Sequence, residues 1–129
     1  MPTATGEFHI EGWDEQVFED GHDGRKLTRA TVRQSFSGDI QGEGLAEYLM
    51  AYRPDGTADF TGLQRIAGKV AGIKGVIVLR LSGQFDGTNT WAETTVVSGA
   101  GRGALGALEG SGDFQAPLGS NGQYSLDYH

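Results

Sequence analysis

Residues 43–68 read EGLAEYLMAYRPDGTADFTGLQRIAG, and the centre of that stretch decides the fold. Tyr48, Met50 and Tyr52 fall at every second position, the period of a strand with one buried face. Asp55-Gly56 follows Pro54, and both residue types tolerate the positive φ that a tight hairpin turn requires. The return run TADFTGLQRIAG brings Phe60 and Gln64 back along the same hairpin.

The same period runs outward in both directions. Towards the N-terminus, Gly6, Phe8 and Ile10 alternate with Glu7, His9 and Glu11. After the acidic loop EDGHDGR, Ala30, Val32 and Phe36 alternate with Arg29, Thr31, Arg33 and Ser35. Towards the C-terminus, GVIVLRLSGQF leads to a second turn at Asp86-Gly87, then NTWAETTVV, GDFQA and GQYSLDYH. About eight strands joined by tight turns form an antiparallel meander in a single domain, residues 1–129. Closure into a barrel removes the unpaired edges. An open two-layer sandwich is the structural alternative.

One stretch argues superficially for another fold. Residues 99–110 read GAGRGALGALEG, and Gly101, Gly103 and Gly106 spell the G-x-G-x-x-G of dinucleotide-binding proteins. That fingerprint works where a strand feeds a helix whose N-terminus faces a pyrophosphate. Ala104–Leu108 is too short for such a helix, and no crossover helices supply a parallel βαβ unit. The glycines are expected instead to bend the chain over a barrel end.

Composition excludes several function classes. Ten Lys and Arg against seventeen Asp and Glu give a formal net charge of −7, so no nucleic-acid partner is expected. With no cysteine there is no disulfide, thiolate metal site or thiol nucleophile. His9, His22 and His129 are isolated and fit no metal-ligand spacing, and no serine sits in a nucleophile elbow. No apolar run approaches a membrane span, and MPTATGEFHIEGWDE lacks the basic and apolar regions of an export signal. A cytoplasmic protein, without a membrane partner, metal or cofactor, is the expectation.

VVSGAGRGALGALEGSGDF resembles the glycine-rich segment shared by the allene oxide cyclase and dirigent barrels. More closely, KLTRATVRQSFSGDIQGEG, AEYLMAYRPDGTADFTGLQRIAG and GQYSLDY make the chain similar to a small bacterial domain family of unknown function in the allene oxide cyclase-like barrel superfamily. The resemblance covers nearly the whole chain. It implies an all-β fold, a single antiparallel eight-stranded β-barrel of the allene oxide cyclase-like type, often oligomeric and with a central cavity. It also implies a scaffold used by cofactor-independent cyclases and isomerases, alongside members with no known chemistry.

In such a barrel one face of each strand points into a lumen with room for packed side chains or one small ligand. Taking the more apolar and aromatic positions as inward places Gln34, Phe36, Met50, Tyr52, Phe60, Gln64, Leu79, Trp91 and Tyr124 around a ligand. Glu93 is the expected catalytic acid, because a carboxyl beside Trp91 on an apolar face would have its pKa raised by desolvation. Tyr48 is the expected hydrogen-bond donor to a carbonyl or developing oxyanion. Phe8, Ile10, Val32, Ile77, Leu81 and Leu126 complete the inward set. A cyclase or isomerase acting on a small hydrophobic molecule is one expected function. A barrel that binds such a molecule without turnover is the other. Leu45, Leu49, Val76 and Val78 would form an outward apolar patch, hence an expected homo-oligomer, as a dimer.

Overall fold

Alternation of side chains carries almost the entire chain into strands. The computed structural model describes residues 2–129. Its elements are β1 (Thr3–Asp20), β2 (Lys26–Gly38), β3 (Ile40–Tyr52), β4 (Ala58–Val70), β5 (Ile73–Phe85), β6 (Asn89–Val96), β7 (Arg102–Gly103), β8 (Gly110–Pro117) and β9 (Gly122–Tyr128). Each pairs antiparallel with its neighbours in the order β4-β3-β2-β1-β9-β8-β6-β5, and β5 pairs back onto β4. The result is a closed eight-stranded barrel, with two-residue β7 added outside β5 at Gly75 and Val76. Among the described residues no helix is long and apolar enough to cross a membrane.

The hairpins close through the expected turn chemistry. Gly56 and Gly87 have φ of 87° and 96°. The Asp55 carboxylate accepts the Thr57 N–H at 3.0 Å and its hydroxyl at 2.7 Å. Asp86 accepts the N–H groups of Thr88 and Asn89 at 2.9 and 2.7 Å. The glycine-rich stretch forms no phosphate-binding helix. It leaves the wall after β6, donates the Val97 N–H to the Val78 carbonyl at 2.8 Å, and makes two successive tight turns that bring Leu105 into the core.

Two features set the shape of the interior. The first is a register shift in β1 between Ile10 and Gly12, which inserts Glu11 as an extra residue. Before it, Phe8 stands opposite Phe36 and Ile10 opposite Gln34; after it, Trp13 stands opposite Val32 and Glu15 opposite Ala30. A one-residue slip in a period-two element exchanges its faces, so the inward positions pass from even to odd numbers. The second is unequal strand length. β1 to β5 run 13 residues or more, whereas β6, β8 and β9 have 8, 8 and 7. β9 therefore pairs only with Thr3–Phe8 of β1, and the rest of β1 rises past it as a one-sided lip.

The core is an aromatic layer bounded by aliphatic side chains. Phe8 meets Phe36 and Phe114 with ring centroids 5.6 and 5.4 Å apart, Tyr48 meets Phe60 at 5.1 Å, and Phe36 meets Tyr124 at 5.6 Å. Ile40, Ile66, Val70 and Ile77 pack the closed end. Gly122 lies opposite Phe8, and the Phe8 ring fills the space a side chain there would need.

Trp91 and Glu93 do not face the lumen. Trp91 is 46% exposed and Glu93 is also on the outer wall, while Ala92, Thr94 and Val96 point inward. The cause is volume. Ala92 stands opposite Phe114 of β8 on one side and Gly83 of β5 on the other, so β6 must present small inward residues where its β8 neighbour presents a ring. Choosing the larger alternating set as inward is therefore wrong for this strand. The outer patch also differs from expectation: Leu45 and Leu49 are exposed, but Val76 and Val78 are half-buried where the glycine-rich segment lies along β5.

Candidate functional site

The lip of β1 and the Pro117–Asn121 loop between β8 and β9 frame a mouth, below which lies a cavity of about 540 Å³. Its wall is mainly apolar and aromatic. Met50 and Phe60 form one side, Phe8 and Phe114 the floor, and Trp13, Ile10 and Leu118 the rim. The Trp13 and Tyr48 rings stand 6.1 Å apart. His9 and Asn121 hydrogen-bond at 2.8 Å, tying the lip to the loop.

Four polar side chains, Glu15, Tyr52, Gln34 and Tyr48, interrupt this surface between rim and floor. Glu15 lies near the rim and accepts from the Tyr52 hydroxyl at 2.7 Å, the Thr28 hydroxyl at 2.8 Å and the Trp13 indole N–H at 2.9 Å. Burial pushes its carboxyl pKa up, but those hydrogen bonds and the nearby Lys26 charge outweigh it, holding Glu15 below the usual carboxylate range. The same carboxylate, with burial as the larger cause, holds Tyr52 well above an ordinary phenol. Glu15 is thus an anchored anion, not a proton donor near neutrality.

Deeper in, Gln34 is 3% exposed and Tyr48 is 5% exposed. The Gln34 Nε2 donates to the Tyr48 hydroxyl over a long 3.4 Å, and among the described residues no group donates to Gln34 Oε1. Gly44, opposite Gln34 on β3, makes room for that oxygen: an added methyl would stand 2.7 Å from Oε1. Burial drives the Tyr48 phenol far above its ordinary pKa, so it stays a neutral donor.

A second, enclosed cavity of about 20 Å³ lies at the closed end, about the size of one water. Gln34, Phe8 and Phe114 border both cavities and form the partition between them. Gln64, Leu79, Phe36 and Tyr124 line the enclosed one and do not reach the mouth cavity. Tyr124 is committed elsewhere: its hydroxyl accepts the Ile40 N–H at 2.7 Å and donates to the Ser37 carbonyl at 2.7 Å, across the β2–β3 turn.

Of the residues expected around a ligand, Gln34, Tyr48, Met50, Tyr52 and Phe60 come together at the mouth cavity. Trp91 and Glu93 instead border a shallow outer groove with Phe18, Leu27 and Leu49. Sequence reasoning missed Trp13, Glu15 and Phe114. The signal for Trp13 and Glu15 was the WDEQVF run continuing β1, visible only once Glu11 is skipped.

The family model described as a protein of unknown function (DUF3224) matches residues 4–128. The chain belongs to the DUF3224 family. Among solved structures, this DUF3224 chain is similar to a crystal structure of a protein with unknown function from the same family in Shewanella oneidensis MR-1. The two share 23% identity and a TM-score of 0.83, covering 100% of this chain and 97% of that one. No curated protein matches the DUF3224 chain. The barrel is thus the architecture of a solved DUF3224 relative, and the family brings no activity with it.

Proposed function

We propose that this barrel binds one small, largely apolar molecule in its lumen, entering between the lip of β1 and the Pro117–Asn121 loop. The observation that carries the reading is the cavity of about 540 Å³, walled by aromatic and aliphatic side chains, with a few polar groups converging on it. Pockets of that size and lining hold small ligands. Turnover has less support. Glu93, the expected acid, stands outside, and Glu15 is held ionised by three donors. A cyclase or isomerase of the allene oxide cyclase-like kind would work here by confining a substrate's shape, with Tyr48 as a buried donor. No cofactor enters either reading.

The proposal includes a cytoplasmic homodimer. Leu45, Leu49 and Leu63 are exposed together on the β3–β4 outer wall and supply its apolar contact. The test is direct. Trp13 stands at the mouth, so titration with neutral polycyclic aromatic probes should quench its fluorescence, and Trp13→Phe should remove the saturable component. A titration without saturation, with Trp91 responding as strongly, would overturn lumenal binding.

A further inference from the structure

We propose that the lumen selects uncharged ligands bearing a hydroxyl, inserted hydroxyl-first, whose O–H donates to Gln34 Oε1 and whose oxygen accepts from Tyr48. This rests on the lumenal-binding reading and adds the chemistry of what is bound.

Buried polar atoms are nearly always paired, because an unmet acceptor in a low-dielectric interior loses its hydration without replacement. Gln34 Oε1 is such an atom, with no donor among the described residues, in a side chain that forms part of the cavity floor. Beside it, Tyr48 receives among the described residues only the long 3.4 Å contact from Gln34 Nε2, and its own proton has no acceptor among them. An acceptor and a donor therefore stand side by side beneath an apolar shaft, and because Oε1 is covered where it lies against Gly44, a hydroxyl meets it as the Gln34 amide turns toward the cavity. A single hydroxyl satisfies both at once, since it donates one hydrogen and accepts through its lone pairs. A ketone or ether can accept from Tyr48 but leaves Oε1 bare. A carboxylate offers no hydrogen to Oε1, and it must pass the anchored negative charge of Glu15 at the rim. The walls beside the pair are the rings of Phe8, Phe60 and Phe114, which suit a flat, unsaturated body behind the hydroxyl.

The experiment compares 2-naphthol, naphthalene, 2-methoxynaphthalene and 2-naphthoate on the full chain, by calorimetry and Trp13 quenching. It uses the parent, Gln34→Met and Tyr48→Phe. Naphthol should bind about tenfold to a hundredfold tighter than naphthalene and 2-methoxynaphthalene, with naphthoate weakest. In Gln34→Met, the advantage of naphthol over its methyl ether should vanish, while naphthalene affinity stays level or rises. Tyr48→Phe should weaken naphthol and the ether together by roughly fivefold to tenfold. Circular dichroism and melting curves confirm that each variant is folded. Equal affinities for all neutral probes in the parent would overturn hydroxyl selection and leave lumenal binding standing, as expected if Oε1 is served by a resident water. Naphthoate binding tighter than naphthol would also overturn it. Failure of every probe to bind would remove both the selection and the binding reading beneath it.

Discussion

Two tyrosines let the same chemical change be made in two environments of one barrel. Tyr124→Phe removes a hydroxyl that accepts the Ile40 N–H at 2.7 Å and donates to the Ser37 carbonyl at 2.7 Å. Ile40 is 2% exposed, so its N–H is left without water or protein partner. An orphaned buried donor costs about 1–3 kcal/mol, and loss of the bond to Ser37 adds roughly 1 kcal/mol, for a sum near 2–4 kcal/mol. Tyr48→Phe removes a hydroxyl whose only contact is 3.4 Å long and whose proton is unused, so its cost should be under about 1 kcal/mol. For a chain of 129 residues the unfolding entropy is about 0.27 kcal/mol/K, at roughly 2.1 cal/mol/K per residue. Tyr124→Phe should therefore lower Tm by about 7–15 °C and Tyr48→Phe by no more than about 4 °C. Near-ultraviolet circular dichroism, which follows packed aromatic rings, reads both melts. Equal shifts, or a larger loss in Tyr48→Phe, would refute the assignment of one tyrosine to the closed end and the other to the cavity.

Glu15→Gln should destabilise the barrel near neutral pH. Because the folded-state pKa of Glu15 lies below its ordinary value of 4.5, its stabilisation is present above that value and lost as pH falls through the folded one. The Tm difference between Glu15→Gln and the parent should thus close in acid, and a constant difference across pH would count against the anchored carboxylate. Glu93→Gln should change stability by less than about 0.5 kcal/mol and leave probe affinity unaltered, as expected on the outer wall. Ala71 holds a φ of 50° in the turn between β4 and β5, so Ala71→Gly should stabilise by up to about 1 kcal/mol in urea unfolding. Gly122→Ala sets a methyl against the Phe8 ring, so it should cost about 1–3 kcal/mol and also weaken probe binding, since Phe8 is the cavity floor.

Alternation and turn chemistry made the barrel legible, because both are local. Asp55-Gly56 and Asp86-Gly87 name their turns without help from the rest of the chain. What lies inside is a collective property. Whether Trp91 or Ala92 faces inward depends on Phe114 on the neighbouring strand β8, and no property of NTWAETTVV alone reports it. Glu15 was hidden by the bulge at Glu11: reading Phe8 and Ile10 onward at period two puts Gly12 and Asp14 inside and Glu15 outside. Tyr124 and Tyr48 belong to the same aromatic set in the sequence. Only the shape of the closed end separates a hydroxyl that ties down a turn from one that faces a cavity.

The ring closes where β1 meets β9, with Thr3 aligned to Asp127 and Phe8 to Gly122. Every other wall contact joins strands made one after another or separated only by β7, so this seam alone spans nearly the whole sequence. On a ribosome adding about 5–20 residues per second, β1 waits on the order of 5–25 seconds before β9 emerges. Strands that pair before then would form an open curved sheet of β1 through β8, with two bare edges and the aromatic layer facing water, the condition in which strands recruit one another. For this protein, the interval between making the first strand and the last is the period of greatest exposure to aggregation, and a chaperone acting on it would have the unclosed face of β1 as its target.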